Sequence, residues 1–160
     1  MSRRPPPAAT VGTSPDQIEA QFYEALQRGN IELLMAVWAD DDEVVCVHPG
    51  GPRMVGPAAI RASFEAIFAN SAVPVQPGQV HRLQWLGGAM HHLVERIEVR
   101  TVEGPHTAWV LATNVYVKTV QGWRLVAHHA SPGSPQEVPA AGTDASHPPP
   151  PGAMSPTTLH

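Results

Sequence analysis

The sequence predicts one α+β domain in which three helices at the amino-terminal end pack on a curved, mainly antiparallel β-sheet. Three observations predict it. Helical spacing of apolar residues is confined to residues 14–70, and after residue 79 the pattern changes to long strand-like runs. These runs are joined by short glycine-bearing connections, which favour antiparallel hairpins. A curved sheet with helices across its mouth encloses a cone, and the wide end of the cone is a natural small-molecule pocket.

The first two helices have clear boundary signals. Ser14 offers an N-cap hydroxyl, Pro15 suits the first helical position and Gln17 is the capping-box partner. Gly29 ends this helix. Asn30 can then cap a second, short helix over "IELLMAVW", whose nearly continuous apolar residues predict burial on several sides.

A strand, a loop and the third helix follow, and then the sheet. The β-branched run from Val44 to His48 predicts a strand, whereas the glycines and prolines of "PGGPRMVGP" predict a loop. Pro57 begins the third helix, which ends near Asn70. The remaining candidate strands cover residues 79–86, 89–100, 106–119 and 122–131.

Prolines and aromatic residues mark the limits of the domain. Of the 18 prolines, three lie in the first 13 positions and eight in the last 30, whereas all nine aromatic residues lie between Phe22 and Trp123. We therefore assign the domain to residues 14–132. The proline-rich tails 1–13 and 133–160 are expected to be disordered, because they carry too little apolar surface to offset chain entropy.

Composition excludes several classes of partner. The formal net charge is −4 and the ten Lys and Arg are scattered singly apart from Arg3-Arg4, which argues against nucleic-acid binding. No apolar run approaches the roughly 20 residues of a membrane span, so we expect a soluble, cytoplasmic protein.

The single Cys46 predicts core packing and excludes an internal disulfide or a cysteine-rich zinc site. No metal site or cofactor is expected, because the neighbouring histidines of each "HH" pair on a strand point to opposite faces.

Two stretches resemble a known superfamily. "FYEALQRGNIELLMAVWADDDEVVCVHPGGPRMVGPAAIRASFEAIF" and "ATNVYVKTVQGWRLVAHHASP" are similar to the SnoaL-like branch of the nuclear transport factor 2-like superfamily, over about residues 14–132. The resemblance implies the cystatin-like cone fold. It leaves the chemistry open, since the superfamily includes ketosteroid isomerases, polyketide cyclases, dehydratases, kinase association domains and pocketed proteins of no assigned activity.

A residue-by-residue comparison with the isomerases argues against that activity. The isomerases use a carboxylate base and two hydrogen-bond donors to the oxyanion, a tyrosine and a protonated aspartate. The resemblance places His48 at the position of the base. Phe22 stands where the first helix would carry the tyrosine, and Leu111 stands where the protonated aspartate would be. Loss of one oxyanion donor typically costs about 10²–10³ in rate. Tyr23 does not replace the donor, because one residue along a helix is a rotation of about 100°.

The same family register predicts which strand residues face the cone. If Leu111 faces inward, strand alternation sends Val110, Ala112, Asn114 and Tyr116 outward. On the last strand the register places four residues inward, namely Arg124, Val126, His128 and Ala130. Four others are expected outward, namely Trp123, Leu125, Ala127 and His129. Outward apolar residues need a cover, and the resemblance implies a homodimer across this face.

The candidate site residues follow from these assignments. His48 and His128 are the candidate catalytic residues, since the ordinary imidazole pKa of about 6.5 suits proton transfer near neutrality. The candidate ligand-binding residues are Phe22, Trp38, Arg53, Glu95, Trp109 and Leu111. Arg53 could clamp a ligand carboxylate. Three functions stay open: binding of a small, largely apolar molecule, proton-transfer catalysis of the isomerase, dehydratase or cyclase type with His48 as base, and a non-catalytic association module.

Overall fold

The computed structural model describes residues 14–134 and confirms the α+β class. Apart from residues 133 and 134, the tails predicted to be disordered lie outside the described residues. The elements in chain order are α1 (Pro15–Arg28), α2 (Ile31–Met35), β1 (Val45–Val47), β2 (Arg53–Val55), α3 (Pro57–Asn70), β3 (Val75–Trp85), β4 (Gly88–Thr101), β5 (Gly104–Thr119) and β6 (Gly122–Pro132).

Helix α1 begins and ends as its sequence predicts. The Ser14 hydroxyl accepts a hydrogen bond from the Gln17 amide at 3.2 Å, and Pro15 occupies the first turn. Gly29 closes the helix with φ of 65°, a left-handed conformation that favours glycine. A Cβ at this position would also lie 3.3 Å from the Ala72 Cβ, so a larger residue would be both strained and crowded.

Helix α2 is shorter than predicted. The Asn30 side chain caps it by accepting from the Leu33 amide at 3.0 Å, but the helix ends at Met35 rather than at Trp38. The next residues run beside β6, where the Leu125 amide donates to the Val37 carbonyl at 2.8 Å. This pairing satisfies backbone groups that a longer helix would have used, and it leads the chain toward β1.

The six strands form one sheet in the order β2-β1-β6-β5-β4-β3. Among the strands of residues 14–134, only the β1–β6 pair is parallel, and the other neighbouring strands are antiparallel. The predicted loop after β1 contains the short edge strand β2, because Arg53, Met54 and Val55 pair with Val47, Cys46 and Val45. Strand β3 begins earlier than predicted, and a bulge between Gly78 and His81 shifts its register.

The predicted orientation of β5 is wrong. Val110, Ala112, Asn114 and Tyr116 are the buried residues of this strand, and the last two bond to side chains of α1. Leu111 and Trp109 therefore lie on the opposite face, which carries no helix in the described part of the chain. We call the face that carries Val110, Ala112, Asn114 and Tyr116 the inner face of the sheet, and the opposite face the outer face.

The predicted orientation of β6 is right at one end only. His128 and Ala130 are buried on the inner face as expected. A bulge opposite Val115 and Tyr116 then shifts the alternation, so Leu125 and Trp123 also face the core, and Arg124 pairs on the outer face with Val117. The error has a physical cause, since an inserted residue reverses the facing of every side chain beyond it.

In residues 14–134, helices α1 and α3 pack on the inner face of the sheet, and α2 packs against both of them. The side chains of Phe22 and Ile60 are fully buried there, and burial of side chains of this kind contributes about 1.5–3 kcal/mol each. Cys46 is also fully buried, as predicted, and its thiol is free. Within residues 14–134, none of the helices has the length and apolar character that crossing a membrane requires.

Candidate active site

A cavity of about 200 Å³ lies between the helices and the inner face of the sheet. We call it the Glu95 pocket. Three of its lining residues carry titratable side chains, namely His48, Glu95 and His128. The other lining residues are apolar: Leu26, Pro49, Phe64, Ile67, Val73, Ile97 and Ala130. The pocket is therefore apolar apart from one carboxyl group and two imidazoles.

Glu95 is the acidic group of the pocket and is only 5% exposed. It lies on the inner face of β4, and its Oε2 accepts a hydrogen bond of 2.7 Å from the Tyr23 hydroxyl of α1. Burial raises the pKa of Glu95 from 4.5 to about 7, because the apolar surroundings disfavour the charged form, while the hydrogen bond from Tyr23 acts in the opposite direction. The carboxyl group is thus set to change its protonation state near neutral pH.

His48 follows strand β1 and is fixed by helix α3. Its Nε2 lies 3.0 Å from the Ser63 Oγ, and the Ser63 hydroxyl itself donates to the Ile60 carbonyl at 2.8 Å. Since a hydroxyl has one proton, His48 must be the donor in the contact with Ser63. Burial lowers the pKa of His48, so the neutral ring carries its proton on Nε2 and leaves Nδ1 as the acceptor.

His128 reaches the same pocket from β6. Its Nδ1 lies 2.5 Å from the Asn114 Oδ1, and its ring lies 4.9 Å from that of Phe22. Burial lowers the pKa of His128 to about 3, so the imidazole is neutral at physiological pH. Its Nε2 lies 4.0 Å from the Glu95 Oε2, and this contact is not an ion pair because the ring is uncharged.

Asn114 connects the pocket to a second buried carboxyl. Its side-chain nitrogen donates to the Tyr23 Oη at 3.2 Å and to the Glu19 Oε1 at 3.4 Å. Glu19, on α1, also bonds to Tyr116 at 2.7 Å and to His91 Nδ1 at 2.9 Å. The amide of Asn114 is thereby oriented with its oxygen toward His128, so the His128 Nδ1 carries the ring proton.

The structure brings together only some of the predicted site residues. His48, Glu95 and His128 share the Glu95 pocket, and Phe22 packs behind it against His128. Arg53 is exposed on the edge strand β2 and does not line the pocket. It therefore provides no clamp for a carboxylate there.

The three other predicted ligand-binding residues lie elsewhere. Trp109 and Leu111 lie on the outer face of the sheet. Trp38 lines a different cleft, of about 340 Å³, between the end of α2 and the start of α3, together with Asp40 and Arg61. The expectation that these three line the cone pocket is therefore wrong. Strand β5 turns its other face to the core, and helix α2 ends at Met35 instead of reaching Trp38.

Sequence reasoning missed four polar residues behind the pocket, namely Glu19, Tyr23, His91 and Asn114. A signal for two of them exists, because Glu19 and Tyr23 stand four residues apart on a helix and so share a face. Phe22 and Leu26 are buried beside them on α1. The buried side of this helix therefore includes polar residues as well as the apolar ones that the helical spacing predicts.

In the stretch from residue 14 to residue 134, no group of three or more His, Cys, Asp or Glu side chains could hold a metal ion. The carboxyl group and the two imidazoles of the pocket can accept and release protons.

Comparison with known proteins identifies the fold and the family. The family model described as the SnoaL-like domain matches residues 16–135. A proposed calcium/calmodulin-dependent protein kinase type II association domain from Thiobacillus denitrificans is 33% identical, with a TM-score of 0.69, over 76% of this chain and 97% of that one. A proposed dehydratase of the NTF2-like family from Streptomyces avermitilis is 30% identical, with a TM-score of 0.68, over 79% of this chain and 98% of that one.

A more distant structure shows the same fold. An uncharacterised protein with a cystatin-like fold from Caulobacter vibrioides is 15% identical, with a TM-score of 0.65, over 76% of this chain and 88% of that one. No curated protein sequence matches the chain at a significant level. The family match covers most of the described domain and agrees with the resemblance seen in the sequence. The chain belongs to the SnoaL-like domain family, within the NTF2-like proteins of cystatin-like fold.

Proposed function

We propose that this domain binds a small, largely apolar molecule in the Glu95 pocket and transfers a proton from it to the Glu95 carboxylate. The observation that carries the proposal is the environment of that carboxyl group, which is buried in an apolar cavity and bonded to Tyr23. A general base works best when its pKa lies near the working pH, and the pKa of Glu95, at about 7, meets this condition.

The base is assigned to Glu95 rather than to His48. The Nε2 proton of His48 is directed to Ser63, and burial lowers the pKa of the ring, which weakens it as a proton acceptor. His128, with a pKa of about 3, is weaker still. The two imidazoles are better suited to hold the ligand, and Glu95 to take the proton.

One relative supports a reaction of this kind. The Streptomyces avermitilis protein, proposed to be a dehydratase, is 30% identical to this chain and is covered almost completely by it. Dehydration begins with removal of a proton next to the departing hydroxyl group. A carboxylate with a pKa near 7 can remove that proton and then return it to the leaving oxygen.

The test follows proton exchange on a ring-sized hydroxyketone, 2-hydroxycyclohexanone, in D₂O by NMR. The carbon–hydrogen bond next to the carbonyl breaks, its electron pair remains on the substrate as an enolate, and the proton joins the Glu95 carboxylate. Return of a deuteron from solvent completes the exchange. We expect Glu95→Gln to lower the rate by about 10²-fold or more.

A matched control lies three residues further along the same strand. Glu98 does not line the Glu95 pocket, and Glu98→Gln should leave the exchange rate unchanged. The wild-type rate should rise with pH through about 7, because the base must be ionised. A wild-type protein no faster than buffer, or a Glu95→Gln variant as fast as the wild type, would refute the proposal.

A second candidate function is association of two copies of this chain through the outer face of the sheet. This face carries no helix in the described region, and it bears these apolar side chains: Leu83, Trp85, Met90, Val94, Trp109, Leu111, Val115 and Val117. Leu83 is 59% exposed and Trp85 is 50% exposed. Exposed apolar side chains on an uncovered sheet face are typical of protein interfaces. The relative from Thiobacillus denitrificans, proposed to be an association domain, supports the same inference.

The set of residues in this interface differs from the one expected from sequence. Asn114, Tyr116, Trp123 and Leu125 belong to the core, so a dimer has to rest on Leu111 and its neighbours. We expect the wild-type protein to sediment as a dimer at micromolar concentration and Leu111→Glu to sediment as a monomer. Leu86→Glu, at a fully exposed hairpin position, is the matched control and should remain dimeric. A monomeric wild type would contradict the proposal.

A further inference from the structure

The hydrogen atoms of the Glu95 pocket define the ligand that it can take. The pocket contains three polar side chains, those of His48, Glu95 and His128. The hydrogen-bond partners of the two imidazoles and of the Tyr23 hydroxyl show where each of these groups carries its proton. This inference rests on the proposed function, because it concerns the same cavity, but it depends on binding rather than on turnover.

The two imidazoles direct their protons away from the ligand. His48 donates from Nε2 to Ser63, which leaves the Nδ1 lone pair free. His128 donates from Nδ1 to Asn114, which leaves the Nε2 lone pair on the ring edge nearest Glu95. Both rings are neutral because burial lowers their pKa values. Each imidazole therefore presents an acceptor and no donor beyond these bonds.

The carboxyl group adds a third acceptor. Tyr23 has one hydroxyl proton and directs it to the Glu95 Oε2, so Tyr23 has no proton left for a ligand. Once ionised, Glu95 accepts hydrogen bonds only. Among the described residues that line the pocket there is no Lys, Arg, Asn or Gln. While Glu95 is ionised, a ligand that only accepts hydrogen bonds, or that binds with a negative charge, finds no donor among these side chains. Once Glu95 has taken a proton, its own hydroxyl is the donor available to an enolate.

The size of the cavity limits the ligand further. A cavity of roughly 150 Å³ holds a benzene molecule. The Glu95 pocket, at about 200 Å³, therefore has room for one six-membered ring with one or two small substituents. Its walls are aliphatic and aromatic, with Phe64 in edge contact with the His48 ring at 4.8 Å.

We infer that the substrate class of the Glu95 pocket is a small uncharged ring bearing a hydroxyl group, such as a phenol or a cyclic enol. The ring replaces water against the apolar wall, and the hydroxyl donates to Glu95 or to the neighbouring imidazole nitrogen. An ammonium ion would also find these acceptors, but a full charge loses far more hydration than a hydroxyl group does on entering an apolar pocket.

The experiment compares four probes of similar size on the full chain at about pH 8: phenol, toluene, benzoate and benzylamine. Binding is measured from shifts in the NMR signals of Glu95 and His128. We expect phenol to bind about tenfold more tightly than toluene, which has the same ring but no donor. Benzoate should produce no shift at these residues, and benzylamine should bind more weakly than phenol.

Variants locate the preference. Glu95→Gln should reduce the advantage of phenol over toluene, because its amide replaces one acceptor oxygen by a donor, while the affinity for toluene stays the same. Glu98→Gln, outside the pocket, should change neither affinity. If Glu95→Gln unfolds the protein, the probe comparison on the wild type still decides.

The outcomes separate this inference from the proposed function. Equal binding of phenol and toluene, or tightest binding of benzoate or benzylamine, would overturn the ligand class whatever the catalytic result. Selective binding of phenol together with a Glu95→Gln variant that exchanges protons as fast as the wild type would support the ligand class and refute the base.

Discussion

Replacing Glu95 by Gln should change how the stability of the protein depends on pH. In the unfolded chain the carboxyl titrates near its ordinary pKa of 4.5, and in the folded protein near about 7. Between these values the folded state holds a proton that the unfolded state has released, so the free energy of unfolding falls as pH rises. The interval from 4.5 to about 7 is 2.5 pH units, and at about 1.36 kcal/mol per unit the loss is about 3 kcal/mol above pH 7.

His128 produces the opposite slope over part of the same range. Its pKa falls from 6.5 to about 3 on burial, so below pH 6.5 the unfolded chain binds a proton that the folded protein does not. The free energy of unfolding therefore rises with pH over that interval. The two effects offset each other in the wild-type protein between pH 4.5 and 6.5, so only the difference between variant and wild type isolates Glu95.

The assay is urea denaturation of the wild type and Glu95→Gln at several pH values. Near pH 4.5 both side chains are neutral and similar in shape, so the two stabilities should be alike. By about pH 8 the variant should have gained about 3 kcal/mol relative to the wild type. Glu43→Gln, at an exposed side chain outside the pocket, is the matched control. A pH-independent difference for Glu95→Gln would refute the burial argument.

Three further predictions concern neighbouring features. Tyr23→Phe should raise the pKa of Glu95 above about 7, because the hydrogen bond that it removes favours the ionised carboxylate. It should also lower the free energy of unfolding by about 1–2 kcal/mol. A Glu95 titration unchanged in the variant would contradict this prediction. Burial raises the pKa of the Cys46 thiol to about 12, so a disulfide reagent should label the native protein at least about 10²-fold more slowly than the urea-unfolded chain, and rapid native labelling would show that the thiol is accessible. Gly29→Ala should lower the free energy of unfolding by about 1 kcal/mol in urea denaturation, because position 29 has a left-handed backbone and lies against Ala72; unchanged stability would argue against that cap.

The elements of the fold could be predicted because their signals are local. The Ser14 cap, the proline that begins α3 and the glycine-bearing hairpins each depend on residues close together in sequence. The family resemblance then supplied the arrangement of these elements. The short strand β2 was missed because three residues after Pro52 carry too little periodicity to distinguish an edge strand from a loop.

The orientation of β5 could not be predicted because both of its faces carry apolar residues. In "AWVLATNVYV" the alternation separates two sets without showing which one is buried. Asn114 was expected outward because the family register placed Leu111 inward, yet its amide is fully buried and bonded to Tyr23, Glu19 and His128. Such a position becomes interpretable only when its partners from other elements are known.

The acid–base residues were found in part for a similar reason. His48 and His128 could be selected because imidazoles near a predicted pocket are chemically conspicuous, and Glu95 was placed in the pocket although its strand register was open. Tyr23 was set aside because it is one residue from Phe22 on a helix. The structure buries both, because α1 lies between the sheet and its neighbouring helices and packs over a wide arc.

The central claim is that Glu95 is a buried acid that titrates in the neutral range, and NMR measures this directly. The side-chain carboxyl carbon of Glu95 is followed as a function of pH, with Glu95→Gln providing the assignment of its signal. We predict a midpoint near pH 7. A midpoint near 4.5, the ordinary value for glutamate, would show that the carboxyl group is hydrated like a surface residue and would contradict the proposed role of Glu95 as the base.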